Sequence, residues 1–378
     1  MSSPLSGVLP APTGSEVRRR FGINNGDMNA LLSQQGIEAI REVTQTSIRS
    51  GATLGVSSTY RATPFRGHNT GWDFHDSDRF ELPEYFAQAN RTLVHIARES
   101  YGSVPVFGNI APTTNTSRSP DDQHYAQIGG GSAEARKEFS RQRQDAQIAV
   151  LAEAGVNGIL VEACRHPDDA AGIARSVRDR VRRSSLRYLI VSFEAENLRV
   201  PDPIHLRDGY TFGDMKGELQ QEVGSEVQVL IGANCIGASA IREIVQSGQS
   251  LDIAYPNEAD IGTFDSSAVL DLFGIFGEVQ NPAEARHLAL ESLDRDGHST
   301  LVEDLRIALG FPDPSEAVSA ASRILAQNAS TSPEALQAVW RECLQSGVRI
   351  IGICCGGQPH HVEAARRSFD AFGRADEL

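Results

Sequence analysis

The sequence predicts an α/β protein, a (β/α)₈ barrel that carries a helical insertion between its seventh and eighth strands. Short β-branched runs alternate with longer segments in which apolar residues recur every three or four positions, a pattern typical of parallel strands joined by helices. The runs number eight, which is the count that closes a TIM barrel. No dinucleotide-type glycine fingerprint follows "FGINNGDMN", so an open doubly wound sheet is the less favoured alternative.

The predicted elements follow one another in a regular order. The strands are placed at 20–24, 52–58, 104–110, 158–162, 188–193, 227–233, 251–255 and 349–353. Between them, segments such as "IEAIREVTQTSIRSG" and "SPEALQAVWRECLQSG" have helical periodicity and end in glycine, which is common after a last helical turn. The Pro-, Ser- and Gly-rich residues 1–15 predict a loose N-terminal tail, so the barrel domain is expected to cover residues 16–378.

One connection is too long for a barrel loop and its helix. Roughly ninety residues separate positions 257 and 349, and we interpret about 258–333 as the helical insertion. Inside it, "LDRDGHSTLVEDL" has Asp294 and Asp296 spaced as in half of a calcium loop. Leu305 stands where such a loop needs a bidentate acid, so a polar-capped helix–turn–helix is the preferred interpretation.

Charge and hydropathy exclude several classes of function. The net charge of −14 argues against nucleic acid as a partner, because nucleic-acid binders present basic stripes. No apolar run approaches the roughly 20 residues of a membrane span, and the N-terminus lacks a signal-peptide pattern. We therefore expect a cytoplasmic protein without a membrane partner. Packing of the insertion across a homo-oligomer interface is compatible with this expectation.

Three of the five cysteines follow predicted strands. Cys235 comes after "VQVLIGAN", and Cys354 and Cys355 come after "RIIGI". Barrel active sites lie at the carboxyl ends of the strands, and three thiolates with an open fourth position are typical of catalytic zinc. The alternative for any single cysteine is packing in the core. We assign Cys164 and Cys343 to that class.

Three segments in a specific order carry a family resemblance. "VLIGANCIG", "LDIAYPNEAD" and "IIGICCGGQPHHVEAA" resemble the zinc-dependent homocysteine S-methyltransferase family, which includes betaine-dependent enzymes and the homocysteine module of cobalamin-dependent methionine synthase. The family pattern is Gly-x-Asn-Cys, Tyr-Pro-Asn and Gly-Gly-Cys-Cys-Gly, with Ile353 replacing one glycine here. The resemblance covers about residues 20–370, apart from the insertion.

This resemblance implies a cofactor and a reaction. Cys235, Cys354 and Cys355 would bind Zn²⁺, and Asn257 would lie close to the metal. The substrate sulfur would bind zinc as a thiolate and receive a methyl group without a side-chain general base. The implied acceptor is homocysteine or a related thiol or selenol. The implied methyl donors are S-methylmethionine, S-adenosylmethionine, a betaine-like compound or methylcobalamin.

Amino-acid recognition is altered relative to the family pattern. Glu162 would hold the substrate ammonium, but Ala163 replaces the family's threonine. Asn25 replaces an aspartate before the retained Gly26, and Ser58 replaces an asparagine. The candidate substrate-binding residues are therefore Glu162, Asn25, Gly26, Ser58 and Asn234.

Two other functions remain open from the sequence. The altered positions allow the same zinc–thiolate barrel to perform another reaction on a sulfur or amine substrate. Cys354 and Cys355 could instead form a non-catalytic redox pair. A vicinal disulfide is strained, and this model gives Cys235 no role, so we rank it last.

The substitution Asn25→Asp should shift acceptor preference toward homocysteine. The restored carboxylate would add the negative charge that helps to fix an α-ammonium group. Relative methylation rates over a panel of thiols measure the shift. Unchanged relative rates would contradict the role assigned to this position.

Overall fold

The structure is a computed structural model that describes residues 5–23, 28–63, 82–113, 125, 127–193, 206, 209–234, 236, 238–256, 333–354 and 357–375. The predicted insertion, apart from its last residue, lies outside this part of the chain, as does the Asp294–Asp296 segment. No helix in the described ranges is long and apolar enough to cross a membrane.

Eight parallel strands form one sheet in the order β1-β8-β7-β6-β5-β4-β3-β2. The strands are β1 Gly7–Val8, β2 Gly55–Val56, β3 Val106–Ile110, β4 Gly158–Cys164, β5 Tyr188–Phe193, β6 Gln228–Asn234, β7 Ile253–Tyr255 and β8 Ile350–Ile351. Each strand from β2 onward follows a helix or leads into one, which is the repeat of a (β/α)₈ barrel. The predicted fold class is confirmed.

The first strand joins the two ends of this sheet. Gly7 and Val8 pair in parallel with β8. On the other side, the Val8 carbonyl accepts hydrogen bonds from the N–H groups of Thr53 (3.0 Å) and Leu54 (3.2 Å). The Val8 N–H donates to Thr53 Oγ1 at 2.9 Å. These bonds connect β8 through β1 to the segment that enters β2, and they leave no open edge there.

Helices cover the outside of the sheet. They are α1 Thr13–Phe21, α2 Met28–Leu32, α3 Gln34–Arg49, α4 Glu84–Tyr101, α5 Ala133–Glu153, α6 Pro167–Val181, α7 Phe212–Val223, α8 Ala238–Gln246, α9 Pro333–Gln345 and α10 Pro359–Ala375. Local sequence sets several of their starts. Ser33 caps α3 by accepting from the Gly36 N–H, and Thr211 with Asp214 forms a capping box at α7.

The N-terminal prediction is wrong in two respects. Residues 5–15 are not a loose tail, since Gly7–Val8 form β1 and Leu9 is fully buried. The described part of the predicted first strand, residues 20–23, does not form a strand, because the chain to Phe21 is helical and Gly22 ends the helix at φ +68°. A strand of two residues carries little composition signal. Pairing with both neighbouring strands determines its conformation instead. The other seven predicted strands each overlap an observed one.

Large apolar side chains fill the barrel interior. Because side chains alternate along a strand, residues of one parity share this interior. The interior cluster includes Leu9, Leu54, Phe107, Leu160, Ile190, Leu230, Ile253 and Ile350. Side chains of the other parity, such as Val161, Val191 and Ile231, pack in the shell between sheet and helices. Each such burial contributes about 1.5–3 kcal/mol to folding.

A buried carboxylate fixes the amino end of β7. Asp252 is 5 % exposed, and its Oδ2 accepts from the Ile231 N–H at 3.0 Å. Its carboxylate also forms ion pairs with Lys216 (2.7 Å) and Arg349 (2.5 Å). The backbone carbonyl of Asp252 accepts from the N–H groups of Arg349 and Ile350. This residue therefore ties β6, β7 and β8 together.

The substitution Asp252→Ala should lower the free energy of unfolding by about 2–3 kcal/mol, because a buried N–H and two cations lose their partner. Denaturant titration measures the change. Glu99→Ala is the matched control: Glu99 pairs with Arg41 on the surface, where both side chains are 50 % exposed, and the expected loss is below about 0.5 kcal/mol. Equal losses in the two variants would contradict the assignment.

Candidate metal and substrate site

Polar side chains replace those of the interior cluster toward the carboxyl ends of the strands. Each lies two or four residues beyond the interior-cluster residue of its own strand. They are Asn109, Glu162, Ser192, Asn234 and Cys354. The carboxyl end of a (β/α)₈ barrel is where its active sites form. These side chains therefore define the candidate site, which we call the barrel mouth.

Cys354 lies at the wall of the barrel mouth. Its side chain belongs to the interior cluster and the residue is 2 % exposed. Its N–H donates to the Pro256 carbonyl at 2.6 Å, and its Sγ is 3.6 Å from Asn234 Nδ2. Asn234 precedes Cys235, and Pro256 precedes Asn257. The contacts of Cys354 thus join the chain segments that lead into the other predicted metal-binding positions.

The described residues test the predicted zinc site only in part. Cys235, Cys355 and Asn257 lie outside them, and within the described ranges no cluster of three or more His, Cys, Asp or Glu side chains forms a metal site. The surroundings of Cys354 fit a thiolate ligand. An amide N–H aimed at its sulfur is the kind of outer contact that orients metal ligands.

Asn234 connects the wall around Cys354 to strand β4. The residue is fully buried, and its Oδ1 accepts from the Ala163 N–H at 2.9 Å while its Nδ2 contacts Cys354. Ala163 has φ +58° within the irregular register between Val161 and Cys164. A left-handed alanine costs about 1–3 kcal/mol and clusters at functional sites. The contacts of Asn234 are therefore those of a residue that holds the site together, and its predicted substrate contact stays a prediction.

The remaining predicted substrate residues fall on two strands or outside the described chain. Glu162 is half-buried, on the inward parity of β4. Ser58 is half-buried after β2, between two buried hydroxyl residues that bond to β3. Thr59 Oγ1 donates to the Asn109 carbonyl at 2.7 Å, and Ser57 Oγ donates to the Phe107 carbonyl at 3.2 Å. Asn25 and Gly26 are not among the described residues.

Asn109 is a residue of the barrel mouth that the sequence analysis did not single out. It lies within the predicted strand 104–110, and it is 8 % exposed at the carboxyl end of β3. Its Oδ1 is buried and accepts no hydrogen bond within the described part of the chain. The sequence did contain a signal for this residue. Asn109 is an amide in an otherwise apolar strand, and it occupies an inward position near the carboxyl end of that strand.

The two cysteines predicted to pack in the core do so. Cys164 and Cys343 are fully buried. Burial, and then the negative charge of Asp169, raise the pKa of Cys164 well above its usual range. Burial raises the pKa of Cys343 to about 12. Both thiols therefore stay protonated near neutral pH, which makes them poor nucleophiles and poor metal ligands.

Replacement of each buried amide by leucine should distinguish the structural contributions of Asn234 and Asn109. Asn234→Leu should lower the free energy of unfolding by about 1–3 kcal/mol, since the Ala163 N–H loses its acceptor. Asn109→Leu removes no such partner, so we expect a change within about 0.5 kcal/mol or a slight stabilisation. Urea titration of both variants measures these values. The reverse order would contradict the hydrogen-bond assignment.

Comparison with known proteins identifies relatives of this barrel. The model of the homocysteine S-methyltransferase family matches residues 12–369. Among curated proteins, no sequence shows significant similarity. Among solved structures, the homocysteine methyltransferase MmuM from Escherichia coli is 18 % identical in its metallated form, with a TM-score of 0.54 over 97 % of this chain and 96 % of that one. Its oxidized form gives 0.55 over 95 % and 94 %, also at 18 % identity.

The structural likeness at this identity supports the barrel fold alone. The family match extends over nearly the whole chain, and it agrees with the three sequence segments that carried the resemblance. Members of the family are methyltransferase enzymes. From the extent of this match we conclude that the chain belongs to the homocysteine S-methyltransferase family.

Proposed function

We propose that this protein is a zinc-dependent methyltransferase that moves a methyl group onto the sulfur of homocysteine or a related thiol or selenol. The contact between Asn234 and Cys354 in the barrel mouth carries the proposal. It joins the strand ends that lead into the predicted ligands, in a chain that belongs to a methyltransferase family.

Cys235, Cys354 and Cys355 would hold the zinc, with Asn257 nearby. When bound, zinc lowers the pKa of a substrate thiol, so that its sulfur is a thiolate nucleophile at neutral pH. MmuM, a structural relative, is known in a metallated form, which supports a metal in this family. No side chain of the chain is then needed as a general base.

The protein residues would position the acceptor rather than activate it. Cys354 is buried, and the side-chain N–H of Asn234 orients that cysteine. Glu162 would pair with the acceptor's ammonium group. Alignment of donor and thiolate limits such a displacement, so a rigid wall that fixes both ends of the acceptor accelerates it.

A second function is favoured by a specific set of replacements. Ala163, Ser58 and Asn25 differ from the family pattern at positions where the resemblance implies substrate contact. The same zinc–thiolate barrel could therefore act on another sulfur or amine substrate. A panel of acceptors distinguishes this alternative from methylation of homocysteine.

Elemental analysis tests the metal site directly. The purified protein should contain close to one zinc per chain, and Cys235→Ala should lose it. Cys343→Ala is the matched control, since this thiol lies on the buried face of α9. The Cys343→Ala protein should retain zinc. A zinc-free protein with a Cys354–Cys355 disulfide would overturn the proposal in favour of redox chemistry.

An activity assay tests the reaction. Zinc-loaded protein should methylate L-homocysteine with at least one of S-methylmethionine, S-adenosylmethionine, betaine and methylcobalamin. Removal of zinc by a chelator should abolish product formation, and added zinc should restore it. Product formation that is unaffected by complete zinc removal would contradict a metal-dependent mechanism.

A further inference from the structure

We infer that Gln147 positions Ser58 for contact with the thiol acceptor, by holding the segment of residues 57–63 that follows β2. Gln147 is then a positioning residue, which acts through Ser58 and not on the acceptor itself. The inference rests on the proposed function, since that function supplies the acceptor. None of the sequence motifs includes Gln147.

The segment of residues 57–63 has little regular structure of its own. None of its residues is in a helix or a strand. The Ser57 N–H still donates to the Phe107 carbonyl at 3.0 Å, and the Ala62 N–H donates to the Thr59 carbonyl at 2.9 Å. Thr59 and Ala62 are fully buried. Because buried carbonyls require hydrogen-bond donors, groups outside the sheet must fix the path of this segment.

Two side-chain amides supply those donors from neighbouring helices. Gln147 on α5 is 2 % exposed, and its Nε2 donates to the Thr59 carbonyl and to Asn90 Oδ1, both at 3.0 Å. Asn90 on α4 is fully buried, and its Nδ2 donates to the Ala62 carbonyl at 2.7 Å. The two amides are therefore bonded to each other and to both ends of the turn at residues 59–62.

Ser58 occupies the inward position of this segment. Leu54 belongs to the interior cluster and Val56 packs against it, so alternation gives Ser58 the next inward position, at the barrel mouth. The hydroxyls of its neighbours Ser57 and Thr59 donate to carbonyls of β3, and both neighbours are buried. Ser58 is half-buried. Its hydroxyl is thus the one that this arrangement leaves on the side of a ligand in the mouth.

Loss of the Gln147 amide should displace Ser58 without unfolding the barrel. The Thr59 carbonyl would keep its bond from the Ala62 N–H, and the Ser57 hydroxyl would keep its bond to β3. The bond next to Ser58 that restrains the segment from the helix side would be lost. A displacement of about 1 Å is enough to weaken a contact that depends on orientation.

The test is a double-mutant cycle on the affinity of the zinc-loaded protein for L-homocysteine, measured by calorimetry. Gln147→Met keeps the length of the side chain and removes the amide, so it should raise Kd about five- to tenfold, the size of one lost hydrogen bond. Ser58→Ala should raise Kd by a similar factor. In the Ser58→Ala protein, Gln147→Met should add less than about twofold, because the residue through which it acts is already removed.

Gln220→Met is the matched control. The Nε2 of Gln220 donates to the carbonyls of Gly224 at 2.6 Å and Val227 at 2.9 Å, so this amide also holds backbone, but at the amino end of β6, away from the mouth. The Gln220→Met protein should unfold at a lower urea concentration than the wild type. Its Kd for L-homocysteine should stay within about twofold of the wild-type value.

The outcomes separate this inference from the proposed function. A Gln147→Met protein that binds L-homocysteine as the wild type does would overturn the inference, and so would an equal loss of affinity with and without Ser58. A wild type that binds L-homocysteine but methylates it with no donor would overturn the proposed function, while Kd would still decide the role of Gln147. A wild type without measurable affinity for L-homocysteine would overturn the inference, and the acceptor panel would decide the proposed function separately.

A second variant covers the case in which Gln147→Met does not fold, as judged by thermal unfolding. Asn90→Ala removes the bond to the Ala62 carbonyl and the acceptor of Gln147. It enters the same cycle with Ser58→Ala, and the same two ratios of Kd support or overturn the inference.

Discussion

Closure of the parallel sheet is the constraint on which the rest of this structure depends. Val8 bonds to the chain on both sides of it, and the ring of strands then leaves only two directions for every strand side chain, toward the interior or toward the helices. Seven of the strands would still pair without β1, but the interior would open at one side. The inward residues of all eight strands share one small volume only because the ring closes.

The barrel mouth follows from that geometry. Within the closed ring, the inward side chains nearer the amino ends of the strands are apolar and fill the barrel. The inward side chains nearer the carboxyl ends are polar. Asn234 bonds to both Ala163 and Cys354, so the wall that would recognise an amino acid and the wall that would bind zinc are parts of one hydrogen-bonded unit. The left-handed conformation of Ala163 is sustained by this contact. A substitution in either wall is therefore expected to alter the conformation of the other.

Long, periodic elements were predictable because each contains its own signal. The strand of residues 188–193 is apolar apart from Ser192 and was predicted with the bounds that the structure has. The helix around Cys343 was apparent from its apolar period, and so was the burial of that thiol. The first strand was missed for the opposite reason. Gly7–Val8 is too short to have a pattern, and the amphipathic helix after it has no feature that indicates a strand before it.

The sequence by itself determined the fold class and the family, because hydrophobic period and ordered motifs are properties of the chain alone. Its assignment of three cysteines to a metal site stays a prediction. The tertiary structure decided which side chains contact one another. It paired Asn234 with Ala163 and Cys354, which lie on three different strands or strand ends, and it left the amide oxygen of Asn109 buried without a hydrogen-bond partner in the described part of the chain. Such contacts join residues that are far apart in sequence. They depend on register and closure, which no local pattern encodes.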